Sequence, residues 1–296
     1  MGTNPLFVPP HTLLFAQNGL VLAVRFDPEE LVVEGSPVPV LDRAWVEGPT
    51  AHVDVAADGT VVYLPAGGAS QPELRVVDRQ GQSLPLEVPS LPRQNLSDPK
   101  LSPGGRRLAI TAGDGQLWMV DLPTQTTTLL SESAFYPIWT NDGREILYGS
   151  TRSRSYDLYR VPADLSRPEE KLLDRDRNLR TAAMGPDDLL IFRDEVPGKG
   201  MDLFTWSDLS DTSTIEPLMT GPDDELSPAL SPDGRWMAYN SDLSGQDEVY
   251  VTAFPTPGGR IQISSGGGFS PCWSTDGDEI FYAVSYTHLR AHETVL

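Results

Sequence analysis

A short frame, Pro-x-(Leu/Trp)-(Ser/Thr)-x-(Asp/Gly)-Gly, returns along the chain as Pro99-Lys-Leu-Ser-Pro-Gly-Gly105, Pro137-Ile-Trp-Thr-Asn-Asp-Gly143, Pro228-Ala-Leu-Ser-Pro-Asp-Gly234 and Pro271-Cys-Trp-Ser-Thr-Asp-Gly277. Each copy ends in turn chemistry. Pro presets φ, Asp bonds back to the local backbone, and Gly takes the left-handed conformation that closes a hairpin. Around Asp233-Gly234 the pattern resolves into strands at Pro228–Ser231, Trp236–Asn240, Glu248–Phe254 and Arg260–Ser264. Trp236 and Ala238 fall on one side of the second strand, and Met237 and Tyr239 on the other. A half-solvated sheet would alternate apolar with polar, so this sheet must be covered on both faces.

The turn pairs Asp58-Gly59, Gly104-Gly105, Asp142-Gly143, Asp187-Asp188, Asp233-Gly234 and Asp276-Gly277 follow one another at intervals of 38 to 46 residues. The pair Asp187-Asp188 lacks the glycine, so that unit is degenerate. A third-strand counterpart recurs as Glu73-Leu-Arg-Val-Val77, Gln116-Leu-Trp-Met-Val120, Asp157-Leu-Tyr-Arg-Val161, Asp202-Leu-Phe-Thr-Trp206 and Glu248-Val-Tyr-Val251. Four strands every ~40–45 residues, each sheet needing neighbours on both faces, specify an all-β β-propeller of four-stranded antiparallel blades. A β-sandwich is the competing architecture, and the fixed place of one turn frame in every unit disfavours it.

The expected count is about seven blades, with six or eight open. It comprises a partial first unit, five full units and a last blade cut short. The first unit is the hairpin Thr12–Ala16 and Leu20–Phe26 across Asn18-Gly19, with a third strand at Pro37–Leu41 and no inner strand. The expected organisation is a disordered stretch at 1–11, one propeller domain over 12–283, and a tail at 284–296. That tail resembles a translated adapter sequence and is set aside from the fold.

Ser-Pro-Asp-Gly-Arg-Trp followed by Ala-Tyr, then Glu-Val-Tyr-Val and Phe-Pro, resembles the WD40-like (PD40, TolB-like) β-propeller repeats. A narrower resemblance is to propellers C-terminal to bacterial serine/threonine kinase domains. It rests on Leu20–Asp27, Gly35-Ser-Pro-Val-Pro-Val40, Gly258–Ser264 and Gly266-Gly-Gly268. The resemblance implies a non-catalytic sensor or scaffold module of a longer protein. If that protein is a membrane kinase, the module lies outside the cytoplasm, in the periplasm or at the cell surface. Two alternatives follow from the same repeats: a TolB-like periplasmic interaction protein, and the propeller of an α/β-hydrolase peptidase.

Charge narrows the partners. The chain has 42 acidic against 22 basic residues, a net charge of −20. Sequence-independent binding to nucleic acid or to an anionic membrane needs a basic surface, so both are disfavoured. The expected partner is a protein or small ligand on the loop face of a monomeric propeller. Cys272, the one cysteine, permits neither an internal disulfide nor a cysteine metal cluster. No apolar run approaches the ~18 residues of a spanning helix, and Met1–Pro10 lacks the features of a secretion signal.

No catalytic, cofactor or metal residue is expected. His288 and His292 lie in the tail, Asp174-Arg-Asp-Arg-Asn178 lacks the glycine of a calcium loop, and no Gly-x-Ser-x-Gly elbow occurs. Asp58, Asp142, Asp233 and Asp276, with Gly59, Gly104, Gly105, Gly143, Gly234 and Gly277, are turn residues. The loop-face candidates lie in Thr151–Tyr156, Arg193–Gly200 and Ser241–Asp247. Arg152 and Arg154 there either hold an anionic group or are solvated charges. Asp242 and Asp247 either bind a cation or pin their loop.

Overall fold

A computed structural model describes residues 2–8, 11–17, 20–27, 32–41, 46–47, 50–51, 53–55, 60–64, 74–77, 83–86, 88–92, 94–152, 155–175, 177–196, 200–273, 277, 279–283 and 289–293. Strands dominate, joined by two single-turn 3-10 segments at Pro186–Asp188 and Thr212–Thr214. No helix among the described residues is long and apolar enough to cross a membrane.

The chain is a β-propeller of small antiparallel blades. Each full repeat unit forms one four-stranded sheet with strands in sequence order. The first blade is Val53–Val55, Val61–Tyr63, Arg75–Val77 and Ser83–Pro85, and the second is Ser97–Leu101, Arg107–Ala112, Gln116–Asp121 and Thr126–Ser131. The third is Phe135–Trp139, Glu145–Ser150, Asp157–Pro162 and Glu170–Leu173. The fourth is Leu179–Met184, Leu190–Val196, Gly200–Trp206 and Ile215–Met219. The fifth is Glu225–Leu230, Trp236–Ser241, Glu248–Ala253 and Ile261–Gln262.

Among the described residues these are five regular blades, not about seven. The larger count treated both end pieces as blades of the same kind. The N-terminal piece is a sheet of longer strands without the turn frame: Gly2–Val8, Thr12–Gln17, Leu20–Asp27 and Val32–Leu41. The C-terminal sheet has three strands, Phe269–Trp273, Glu279–Ala283 and Leu289–Glu293. Both end segments also contribute strands. Gly2–Val8 pairs with Thr12–Gln17 and supplies the inner strand missing from the expected first unit. The segment set aside at 284–296 contributes Leu289–Glu293, paired with Glu279–Ala283.

The chain divides into two compact units. Unit 1 comprises Met1–Ala51, Val196–Leu203 and Pro217–Leu296, and unit 2 comprises His52–Glu195 and Phe204–Glu216. In unit 1 the core is built from Ala238, Val249, Val251, Trp273, Ile280 and Tyr282. In unit 2 one core joins the second and third blades through Ala109, Leu117, Trp139, Ile146 and Tyr148, and another gathers Leu147, Leu158, Leu179, Phe192 and Trp206. Met237, Ala238 and Tyr239 are all fully buried, so both faces of that strand are covered, as the apolar pattern required. Cys272 packs partly buried against Leu13, Phe15, Leu22 and Val24.

The turn frame works through its hydroxyl as much as its glycine. Gly143 and Gly234 close i→i+3 bonds to the carbonyls of Thr140 and Ser231, at φ +66° and +67°. Thr140 Oγ1 and Ser231 Oγ accept from the backbone N–H of Glu145 and Trp236, and donate to Asp142 and Asp233 at 2.7 and 2.6 Å. In the Gly104-Gly105 copy only Gly105, φ +67°, carries the left-handed conformation. The Ser231 hydroxyl, followed by the Arg235 N–H and guanidinium, holds the Asp233 carboxyl down to about 2. The Arg144 N–H and the Thr140 hydroxyl lower Asp142.

The frame proline marks a bulge. The inner-strand registers shift between Ser97 and Lys100, Phe135 and Ile138, Leu226 and Ala229, and Phe269 and Cys272. Each shift skips the frame proline and the residue before it. That preceding residue, Asp98, Tyr136, Ser227 or Ser270, has φ between +49° and +51°, or +54° for Tyr136. Proline cannot donate to a ladder, so the strand leaves its pairing there and resumes after it.

Successive sheets are also tied by hydrogen bonds. Trp139 Nε1 donates to the Lys100 carbonyl and Trp273 Nε1 to the Ala229 carbonyl, both at 2.9 Å. Both indoles occupy the third frame position, and both carbonyls belong to the second frame position of the preceding sheet. The first and second blades use another tie, the Leu101 N–H donating to Asp54 Oδ2 at 2.7 Å.

Two stability measurements test these assignments. Gly143→Ala, forced into the left-handed region, is expected to lower unfolding free energy by about 1–2 kcal/mol, whereas Gly104→Ala stays within about 0.5 kcal/mol of the parent in denaturant titration. Equal costs at the two positions would refute the turn assignment. Trp139→Phe keeps an aromatic body but removes the indole donor, and a loss of about 1–2 kcal/mol is expected from the Lys100 carbonyl left unpaired.

Candidate functional site

The sequence candidates are mostly engaged in holding the fold. Arg152 forms a forked ion pair with Glu169, its Nη2 reaching Oε2 at 2.9 Å. The same nitrogen donates to Ser131 Oγ at 2.6 Å, and the guanidinium lies 5.3 Å from the centre of the Tyr159 ring. Arg154, Asp58, Gly59 and Asp276 lie outside the described residues. Asp242 Oδ1 accepts the Asp224 N–H at 2.8 Å and Asp247 Oδ1 accepts from Asn240 Nδ2 at 3.2 Å, so both tie chain segments together.

The acids that recur at the start of the third strands are anchors too. Asp157 pairs with Lys171 at 3.1 Å, and Asp202 accepts the Gly221 N–H at 3.1 Å. Glu248 accepts the N–H groups of Gly266 and Gly267 at 2.8 and 2.9 Å. In each case the carboxylate fastens the outermost strand or the turn beyond it to the third strand. Among the described residues no three His, Cys, Asp or Glu side chains come together as a metal site.

A different cluster stands out in unit 2, where the third and fourth blades meet. Arg180, on the inner strand Leu179–Met184, is the register partner of Arg193 on Leu190–Val196. Directly opposed residues of an antiparallel pair project to the same face, and like charges placed so repel. The Arg180 guanidinium lies 5.1 Å from the Tyr136 ring centre and 5.6 Å from that of Tyr156. Tyr156 in turn packs edge-on to Phe135 at 5.4 Å. Tyr136 is one of the left-handed bulge residues, so the bulge sets where its ring lies. The Leu179 N–H donates to the Tyr156 carbonyl at 2.9 Å, which fixes Tyr156 beside the strand carrying Arg180.

Neither arginine forms an ion pair or donates a hydrogen bond among the described residues. The Nε atoms of both are buried without a partner. Burial and the nearby Arg180 charge lower the basicity of Arg193. The neighbouring carboxylates are held elsewhere: Asp194 projects to the other face and binds Arg175 at 2.9 Å and Arg177 at 3.2 Å, while Glu195 accepts from Asn178 at 2.6 Å. Reading Arg193 as the start of a loop missed this site, because Leu190–Val196 is strand. A signal was present: an arginine within each of the apolar strands Leu179-Arg-Thr-Ala-Ala-Met184 and Leu190-Ile-Phe-Arg193.

A second unusual group lies in unit 1. Glu225 is 3% exposed, its Oε2 has no partner, and it lines a shallow cavity of about 260 Å³ with Leu218, Thr220, Thr252, Pro257 and Arg260. Burial, reinforced by Asp202, Asp223 and Asp224 and opposed by Arg260, pushes its carboxyl up to about 7. The folded state therefore keeps a proton that the unfolded chain, near 4.5, has released. Stability falls as pH rises from there toward 7, and the cost is complete above it. Glu225→Gln is expected to raise the melting temperature at pH 8 and to leave it nearly unchanged at pH 4.5. An equal rise at both pH values would contradict the assignment.

No protein-family model and no curated protein sequence matches the chain. Solved structures do match in fold. TolB from Acinetobacter baumannii aligns over 97% of this chain and 75% of its own, with TM-score 0.61 and 16% identity. The β-propeller domain of Cps50 (Swd1) from Myceliophteria thermophila aligns over 99% of this chain and 96% of its own, with TM-score 0.68 and 13% identity. The tricorn protease aligns over 99% of this chain and 33% of its own, with TM-score 0.68 and 11% identity. At these identities the likeness shows the β-propeller fold alone.

Proposed function

We propose that the protein is a non-catalytic binding module that engages an anionic group, of a protein partner or a small ligand, through Arg180 and Arg193. The observation that carries this reading is the opposed arginine pair with buried, unpartnered nitrogens in a chain of net charge −20. Arg160, Arg167, Arg175 and Arg177 nearby are each paired with a carboxylate. A fold with so many acidic side chains has no shortage of internal partners, so a pair left without one is a cost to folding. Such local conflicts concentrate at functional sites. The tyrosines hold the Arg180 guanidinium in place, which reduces the ordering needed on binding.

The repeat resemblance supports placing the module in a longer bacterial chain, as the sensor part of a serine/threonine kinase exposed outside the cytoplasm. The likeness to TolB supports a second placement, an interaction protein of the periplasm. The genomic reading frame separates them. A kinase domain and a spanning helix upstream favour the first, and a secretion signal with a small α/β domain favours the second.

Binding is tested with fluorescent peptides. Bulk electrostatics of this protein favour lysine-rich peptides. The proposal instead expects a glutamate-rich peptide to bind, with affinity that weakens in salt and drops about tenfold or more in the Arg180→Gln/Arg193→Gln variant. Arg235→Gln, which removes an exposed arginine paired with Asp233, serves as the control and is expected to bind like the parent. Acidic peptides that fail to bind, or that bind the double variant equally well, would sink the proposal.

A further inference from the structure

The arrangement of the two arginines constrains the charge of the group they hold. A carboxylate has one charge and two oxygens, and a single guanidinium fork satisfies it. Two guanidiniums can share one carboxylate, as Arg175 and Arg177 share Asp194, but one positive charge then stays unmatched. Phosphate monoesters carry about −1.5 to −2 charges near pH 7 and three terminal oxygens, enough for two forks at once. The tyrosine rings lie against Arg180, which favours contact of the ligand with its N–H edges. No internal carboxylate competes, since Asp194 is held by Arg175 and Arg177, Glu195 by Asn178, and Glu169 by Arg152.

We infer that Arg180 and Arg193 together bind one phosphate monoester, with Tyr136 and Tyr156 as the walls of the site. The inference rests on the proposed function and names the ligand of that same site. The ester is carried either on a phosphorylated side chain of a partner or on a small organic phosphate. No bond is made or broken.

Calorimetry on the whole chain tests it with four probes: a phosphoserine peptide, the same peptide with glutamate in place of phosphoserine, inorganic phosphate and glycerol phosphate. The phosphopeptide, glycerol phosphate or both are expected to bind at least about tenfold tighter than the glutamate peptide. That advantage should disappear in Arg180→Gln and in Arg193→Gln. Arg180→Lys keeps the charge without the fork and is expected to bind with intermediate affinity. Tighter binding of the phosphopeptide than of glycerol phosphate assigns the ester to a protein partner, and the reverse order assigns it to a small molecule.

Equal affinity for the phosphopeptide and the glutamate peptide overturns the phosphate assignment but leaves the anion-binding module standing. Binding of none of the four probes removes both. Arg193→Met gives a ligand-independent check, because removing a like-charged, unpartnered guanidinium should raise the melting temperature. A melting temperature that falls instead would mark Arg193 as a structural residue and overturn the inference.

Discussion

Every blade of this protein has two apolar faces, and the rest of the structure depends on that constraint. The strand Trp236–Ser241 shows it most plainly, with Met237 pointing one way, Ala238 the other, and neither exposed to water. A sheet of this kind gains little by folding alone. At roughly 25 cal/mol per Å² of apolar surface, its stability comes from the sheets packed beside it. The indole bonds of Trp139 and Trp273 sit within those packed faces and add direction to an otherwise non-directional attraction. They fix which residue of one sheet lies against which carbonyl of the sheet before it.

The charge pattern follows a similar economy. The acids that open the third strands, Asp157, Asp202 and Glu248, are buried and bind backbone N–H groups or a lysine, so they knit blades internally. Arginines on the third and fourth blades pair with Glu145, Glu169, Glu170 or Asp194. Against that background the opposed, unpaired Arg180 and Arg193 break the pattern. The glutamate at 225 breaks it in the other sense, a buried carboxyl surrounded mainly by more carboxyls.

Much of the fold was legible because turn chemistry is local. Ser231, Asp233 and Gly234 contact one another and the adjacent backbone, so their order in the chain is enough to identify the hairpin. The bulge was not legible. Pro228 reads as the first residue of a strand, whereas Glu225–Leu230 is already strand and interrupts its ladder at Ser227 and the proline. The site was even less so. Arg152 drew attention as a cation in an acidic chain, but Glu169, 17 residues away, neutralises it. Arg193 reads as the start of a loop, because its register partner Arg180 becomes a neighbour only once the strands pair.

By itself the sequence determined the class of fold and the spacing of its repeat. Turn hydroxyls, glycines and alternating apolar residues act over a few positions, where order along the chain equals order in space. Only the tertiary structure decided which charges are neutralised and which are left over. Pairing a guanidinium with a carboxylate depends on strand register and on which face each side chain takes, and residues far apart in the chain settle both.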